Sequence, residues 1–171
     1  MSAIGHRLAI VLVVAGCSSG LFVAVAGAVD TPPTDTSPCT RAQTRTAFNA
    51  FLVAFDRGDQ AALDSLFAPE PDFQWFSSNA PGPRVRHDAS DRRTLLAYFR
   101  ARHRRGDRLR LLDFHFTGRS PHWSGFWFDL RRRSGGFREG RWFRTTGKGA
   151  VVCDGAARFI VMSIGGPMPG G

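Results

Sequence analysis

Between Arg41 and Arg57 the apolar residues Phe48, Phe51, Leu52 and Phe55 return at intervals of three and four, with Arg and Asp opposite them. That period marks an amphipathic helix with one buried stripe. Gly58 follows as a left-handed stop, Asp59 is placed to cap a second short helix over 60–67, and Pro69 ends it. A short aromatic run at 73–76, bounded by Pro71 and Ser77-Ser78-Asn79, reads as a strand. The stretch 80–89, with Pro81-Gly82-Pro83 inside it, reads as a loop. Ser90 or Asp91 then caps a third helix through Arg105, with Leu95, Leu96 and Phe99 on its buried side and Gly106 as its stop.

Beyond Gly106 the period drops from 3.6 to 2. Four strands are predicted, over 108–117, 123–133, 141–153 and 158–164, separated by turn residues at 118–121, 134–136 and Asp154-Gly155. Gly147 and Gly149, inside the third of these, predict a bulge or sharp bend that curls the sheet. Helices first and meandering strands afterwards imply an α+β fold, with the sheet wrapped over a helical layer. Fifteen Phe and four Trp give that layer a heavily aromatic core.

The amino end carries a different pattern. A cationic lead, Met1 to Arg7, precedes an apolar run and the tetrad Val14-Ala15-Gly16-Cys17. This reads as an export segment over 1–28, in one of three forms. Cys17 sits where a bacterial lipobox places its lipid-modified cysteine, Ala26-Gly27-Ala28 offers a cut that frees a soluble protein, and 8–29 is near bilayer-spanning length. All three put the domain outside the cytoplasm. A Pro/Thr linker covers 29–38, one domain covers 39–165, and the Gly/Pro-rich 166–171 reads as a disordered tail. Export leaves Cys39 and Cys153 in an oxidising compartment, where two cysteines read as one disulfide.

Net charge is +9, and Lys148 is the single lysine among 23 cationic residues. Arginines cluster at 100–110 and at 131–133. Export and the absence of a helix-turn-helix, zinc-finger or RNP motif argue against nucleic acid. Anionic lipid headgroups are the alternative neighbour, as in a structural envelope protein, and a solvated cationic face is the plainer reading.

The run Ala47-Phe48-Asn49-Ala50-Phe51 through Phe55-Asp56-Arg57-Gly58-Asp59, then Leu63, Leu66-Phe67-Ala68-Pro69 and Phe73-Gln74-Trp75, resembles the opening of NTF2-like (SnoaL-like) domains. The resemblance extends over about Cys39 to Gly165. It implies a cone of three N-terminal helices on a strongly bent, mostly antiparallel sheet, with a pocket inside the cup and a homodimer formed through the convex sheet face. The bridging cysteines and the arginine-rich third helix depart from it.

Strict alternation on 108–117 puts Leu109, Leu111, Asp113, His115 and Thr117 on one face and Arg110, Leu112, Phe114 and Phe116 on the other. If the first set looks into the cup, Asp113 and His115 form an acid–base pair for isomerase, cyclase or dehydratase chemistry, as in SnoaL-like cyclases. If it looks outward, they are a surface pair. Trp75, Phe99, His103, Trp123, Trp127 and Asp129 are candidates to line a ligand pocket. On 123–133 both faces are aromatic, which predicts burial on two sides.

Phosphate-loop, serine-hydrolase, zincin and C-x-x-C motifs are absent, and His115 and His122 lack a third ligand at metal spacing, so neither cofactor nor metal is expected. The leading expectation is a non-catalytic domain at the cell envelope, lipid-anchored through Cys17, that binds a small hydrophobic ligand or a protein partner.

Overall fold

The computed structural model describes residues 38–69, 74–77, 86–135 and 140–168, all within one unit, Pro33–Gly171. The export segment with Cys17, the linker to residue 37, and most of the Pro-Gly loop lie outside the described residues. Elements run α1 (Arg41–Arg57), α2 (Gln60–Ser65), β1 (Gln74–Ser77), β2 (Arg86–Ala89), α3 (Arg92–Arg104), β3 (Arg108–Arg119), β4 (Ser124–Arg133), β5 (Trp142–Asp154) and β6 (Ala156–Ile164). The six strands form one sheet in the order β2-β1-β6-β5-β4-β3, antiparallel except where β1 lies parallel to β6.

Local chemistry starts the helices where the sequence pattern places them and stops α1 and α3 within a residue of it. Thr40 and Gln43 make a capping box for α1: the Thr40 hydroxyl accepts from Gln43 N–H, and the Gln43 side chain accepts from Thr40 N–H at 2.9 Å. Gly58 closes the helix at φ 70°, a conformation that disfavours a side chain. Asp59 caps α2 through Ala62 N–H at 3.0 Å. That helix ends at Ser65, earlier than the apolar pattern predicts. Sheet bonding takes over, because Phe159 N–H donates to Leu66 C=O at 2.8 Å and Ala68 N–H donates to Phe159 C=O at 2.9 Å.

Asp91, rather than Ser90, caps α3 by accepting from Thr94 N–H at 2.9 Å. The backbone bond from Thr94 and then its hydroxyl hold the Asp91 carboxyl below its ordinary range. The folded state therefore favours the carboxylate, and the cap's contribution is present above the unfolded value and lost as pH falls through the lowered one. Asp91→Ala is expected to lower the thermal midpoint at pH 7. The gap from wild type should close in strong acid, and a gap independent of pH would show that Asp91 does not act as an ionised cap.

The structure changes three expectations in the sheet. The last four residues of the expected loop form β2, pairing with β1 through Trp75–Ala89 and Phe76–His87; their mixed Arg-His-Asp-Ala composition carries no alternation to mark a strand. Gly147 and Gly149 stay in regular register with β4, and the register shifts fall elsewhere: Leu112 and Thr117 are extra residues in β3, Ile160 is extra in β6 opposite Ala150/Val151, and one residue of β2 is extra opposite Trp75/Phe76. The two glycines make room instead: a Cβ at either would collide with the ring of Phe128 or Phe126 lying over it. Sheet bonding also runs past β6, where Gly165 N–H donates to Thr146 C=O at 2.8 Å, and reaches into the expected tail at Met168, whose N–H donates to Arg144 C=O at 3.0 Å.

Between the helices and the sheet lies a nearly continuous aromatic core. Phe48 sits 4.4 Å from Phe128 and 5.5 Å from both Phe114 and Phe126, measured between ring centroids. Phe51 is surrounded by Phe55, Phe67, Trp75, Phe99 and Phe159. Cys39 and Cys153 form a disulfide with their Cα atoms 5.2 Å apart, tying the chain before α1 to the end of β5.

Candidate functional site

Two faces of the sheet behave differently. On β4 the even positions Ser124, Phe126, Phe128, Leu130 and Arg132 are buried against the helices, while Trp127, Arg131 and Arg133 are exposed. The inner face is where a cup pocket would open, and there Trp75 and Phe99 are fully buried with ring centroids 5.0 Å apart. Both pack within the core. His103 packs elsewhere: its ring lies so close over Gly58 that a Cβ there would meet the imidazole at 2.6 Å. The close approach, together with the positive φ, gives position 58 two independent reasons to be glycine.

At its other end the inner face turns polar. Arg102, Asp107, Arg132 and Ser134 are all buried. Asp107 Oδ2 accepts from Arg102 Nε at 2.7 Å and from Arg132 Nη2 at 2.9 Å, and Arg102 also reaches the Ser134 hydroxyl. Burial is the largest influence on Arg132 and works against its charge; Tyr98 and Asp107 offset it, so its pKa lies above the ordinary arginine range. The sequence pattern treats 131–133 as one cationic cluster. In the fold Arg132 shares the inward parity of Phe126, Phe128 and Leu130, and only its neighbours reach solvent.

The bulge at Leu111/Asp113 decides where the acid–base pair goes. Strict alternation puts Asp113 on the face of Leu109, but one inserted residue reverses the parity. Leu109 and Phe114 are both buried, Leu112 is pushed out to 47 % exposure, and Asp113 and His115 stand on the outer face. His115 Nε2 lies 2.6 Å from Asp113 Oδ2, and the His115 ring stacks on Trp127 at 3.7 Å with 8° between planes. The bond to His115, then the Phe114 N–H, hold Asp113 below the ordinary carboxylate range. The side chains of His115 and Asp113 remain 41 % and 59 % exposed.

Beside this pair runs a trough of about 660 Å³. Gly125, Ala150 and Val161, cross-strand neighbours on β4, β5 and β6, make its floor, and Trp123, Trp127 and Lys148 stand around it. Trp123 and Trp127 are 45 % and 37 % exposed, large apolar surfaces for a folded domain. Asp129 lies away from the trough, with its carboxylate 3.8 Å from Arg144. Among the described residues no group of three His, Cys, Asp or Glu side chains is placed to hold a metal ion, and no helix is long and apolar enough to cross a membrane.

No family model and no curated protein matches the sequence. Solved structures do match the fold. A candidate dehydratase of the NTF2-like family from Streptomyces avermitilis aligns at a TM-score of 0.59 and 18 % identity, over 74 % of this chain and 94 % of its own. A candidate aromatic ring hydroxylase from Novosphingobium aromaticivorans aligns at 0.60 and 15 %, over 77 % and 93 %. A protein with a cystatin-like fold from Nostoc punctiforme aligns at 0.58 and 16 %, over 78 % and 96 %. The chain has the NTF2-like fold.

Within this NTF2-like domain the residues singled out by sequence divide into three groups. Asp113, His115, Trp123 and Trp127 gather on the outer sheet face, and Asp129 stands on that face away from the trough. Trp75 and Phe99 belong to the core, and His103 to the turn after α1. Sequence reasoning missed the small residues of the trough floor and the buried Arg102–Asp107–Arg132 cluster. One member alone left a signal: Arg132 continues an uninterrupted inward series on β4, whereas nothing local distinguishes Arg102, Asp107, Ala150 or Val161.

Proposed function

We propose that this chain is an exported, lipid-anchored NTF2-like domain that binds a small apolar molecule without transforming it, using the outer-face trough. The observation that carries this reading is the pair of exposed tryptophans beside a floor of Gly, Ala and Val, in a volume typical of small-ligand sites. The pairing of Cys39 with Cys153 supports an oxidising compartment, and the leader-like segment with Cys17 supports export and anchoring.

A binding role fits the electrostatics better than catalysis does. Asp113 and His115 are hydrogen-bonded to each other but open to water, whereas acid–base pairs gain most where solvent is excluded. The dehydratase and hydroxylase names of the structural neighbours favour the other reading, in which Asp113 and His115 act as acid and base on a hydrophobic substrate in the trough. Unchanged turnover of an identified substrate by Asp113→Asn and His115→Gln would remove that reading.

The test uses N-phenyl-1-naphthylamine, a neutral apolar fluorophore. Wild type is expected to bind it saturably with a blue shift in emission. Ala150→Leu, which fills the floor, and Trp123→Ala, which removes a wall, should each weaken binding by about ten-fold. Equal binding by all three proteins refutes the trough as the site. If a second copy of the chain occupies the face instead, sedimentation equilibrium will show a dimer that Trp127→Asp disperses.

A further inference from the structure

The outer face carries a second feature, at the opposite end of the strands from the trough. Arg110 on β3 lies directly opposite Arg131 on β4, and Arg131 lies directly opposite Arg144 on β5. Adjacent strands are about 4.8 Å apart, so three guanidinium-bearing side chains leave the sheet in one cross-strand row. All three are exposed. Like charges directly opposite one another destabilise a sheet, and the usual remedy is an interleaved acid. Among the described residues only Asp129 approaches the row, 3.8 Å from Arg144 and beyond hydrogen-bond distance, and neither Arg110 nor Arg131 pairs with a carboxylate.

The next row holds Arg133 opposite Trp142. The Arg110 guanidinium stands 4.6 Å from the Trp142 ring centroid and that of Arg133 5.7 Å, so the indole orients Arg110 within the row and Arg133 beside it. Between these groups is a groove of about 520 Å³ lined by Arg131, Arg144, Trp142 and the bulged Leu112. Exposed guanidinia of which only Arg144 has a carboxylate nearby, with Arg110 and Arg133 oriented by an aromatic plane and apolar surface alongside, match one chemistry: a tetrahedral phosphate on an organic body. The guanidinium fork accommodates paired phosphate oxygens.

We propose that the Arg110–Arg131–Arg144 row is a phosphate-ester binding site. Arg131 and Arg144 clasp the phosphate oxygens, and Leu112 and Trp142 cover the attached carbon chain. The site is separate from the trough and stands whether or not the trough binds.

The experiment compares three full-length proteins: wild type, Arg131→Gln/Arg144→Gln, and Arg100→Gln/Arg104→Gln. The last removes the same charge from exposed positions on α3 and leaves the row intact. Each is titrated with glycerol phosphate by calorimetry. Each is also sedimented with vesicles of phosphatidylcholine alone or mixed with phosphatidylglycerol. The row variant is expected to bind about ten-fold or more weakly than wild type, and the α3 variant within about two-fold of it. A row-specific loss with glycerol phosphate identifies a soluble phosphate ester as the ligand. A row-specific loss only with phosphatidylglycerol vesicles identifies a lipid headgroup. Equal losses in the two variants, or no loss in either, would overturn the proposal, because the row would then act only as part of the net charge.

Discussion

Replacing Asp107 with alanine is expected to destabilise the fold by about 3 to 5 kcal/mol, read as a fall in the denaturant midpoint with an unchanged slope. Asp107 is fully buried and is the carboxylate between Arg102 and Arg132, both also buried. Removing it strands two guanidinium groups in a low-dielectric interior, where an uncompensated charge costs several times more than an ordinary hydrogen bond. The same logic gives a far smaller effect for removing the whole cluster. Arg102→Leu, Asp107→Leu and Arg132→Met, together with Ser134→Ala, should return stability close to wild type, because no buried charge remains. An Asp107→Ala variant that unfolds at the wild-type midpoint would show that the cluster is solvated in solution.

Loss of the Cys39–Cys153 bridge should be comparably large. The bond spans 114 residues of sequence and encloses almost the whole domain. In the chain-entropy model, freeing a loop of that length costs about 4 to 5 kcal/mol, through the greater freedom of the unfolded chain. Cys39→Ala/Cys153→Ala is therefore expected to lower stability by about that amount while leaving the native packing in place, since both sulfurs lie in an apolar core. Thiol labelling of the denatured wild-type protein should find neither residue free, and stoichiometric labelling of both would remove the bridge.

These two expectations differ in how far they are legible in the chain. The disulfide is expected from two cysteines near opposite ends of a domain that follows an export-like leader pattern. The Asp107 cluster does not, because Arg102 looks like one more cation in an arginine-rich helix and Asp107 like a polar turn residue after Gly106. Only the tertiary fold brings Arg102 and Arg132, thirty positions apart in sequence, to the same Asp107 carboxylate, and burial then converts three surface-like residues into a costly charged core. The Asp113–His115 pair shows a second limit. Alternation depends on unbroken register, and the extra residue at Leu112 inverts it. The bulge has no glycine or proline to announce it in sequence.

All helix boundaries but the end of α2, which sheet bonding to Phe159 decides, were set by short-range chemistry. Gly58, Asp59, Asp91 and Gly106, readable without the fold, act on backbone groups within a few residues of themselves, as do Thr40 and Gln43. The α+β order and the aromatic core were readable for the same reason, since period and composition are properties of the chain. Tertiary structure alone decided which side of the sheet each strand residue occupies past a bulge, that Gly147 and Gly149 yield space to Phe126 and Phe128, and that Arg110, Arg131 and Arg144 stand in one row. Each of those depends on register between strands distant in sequence, which packing selects and no local pattern records.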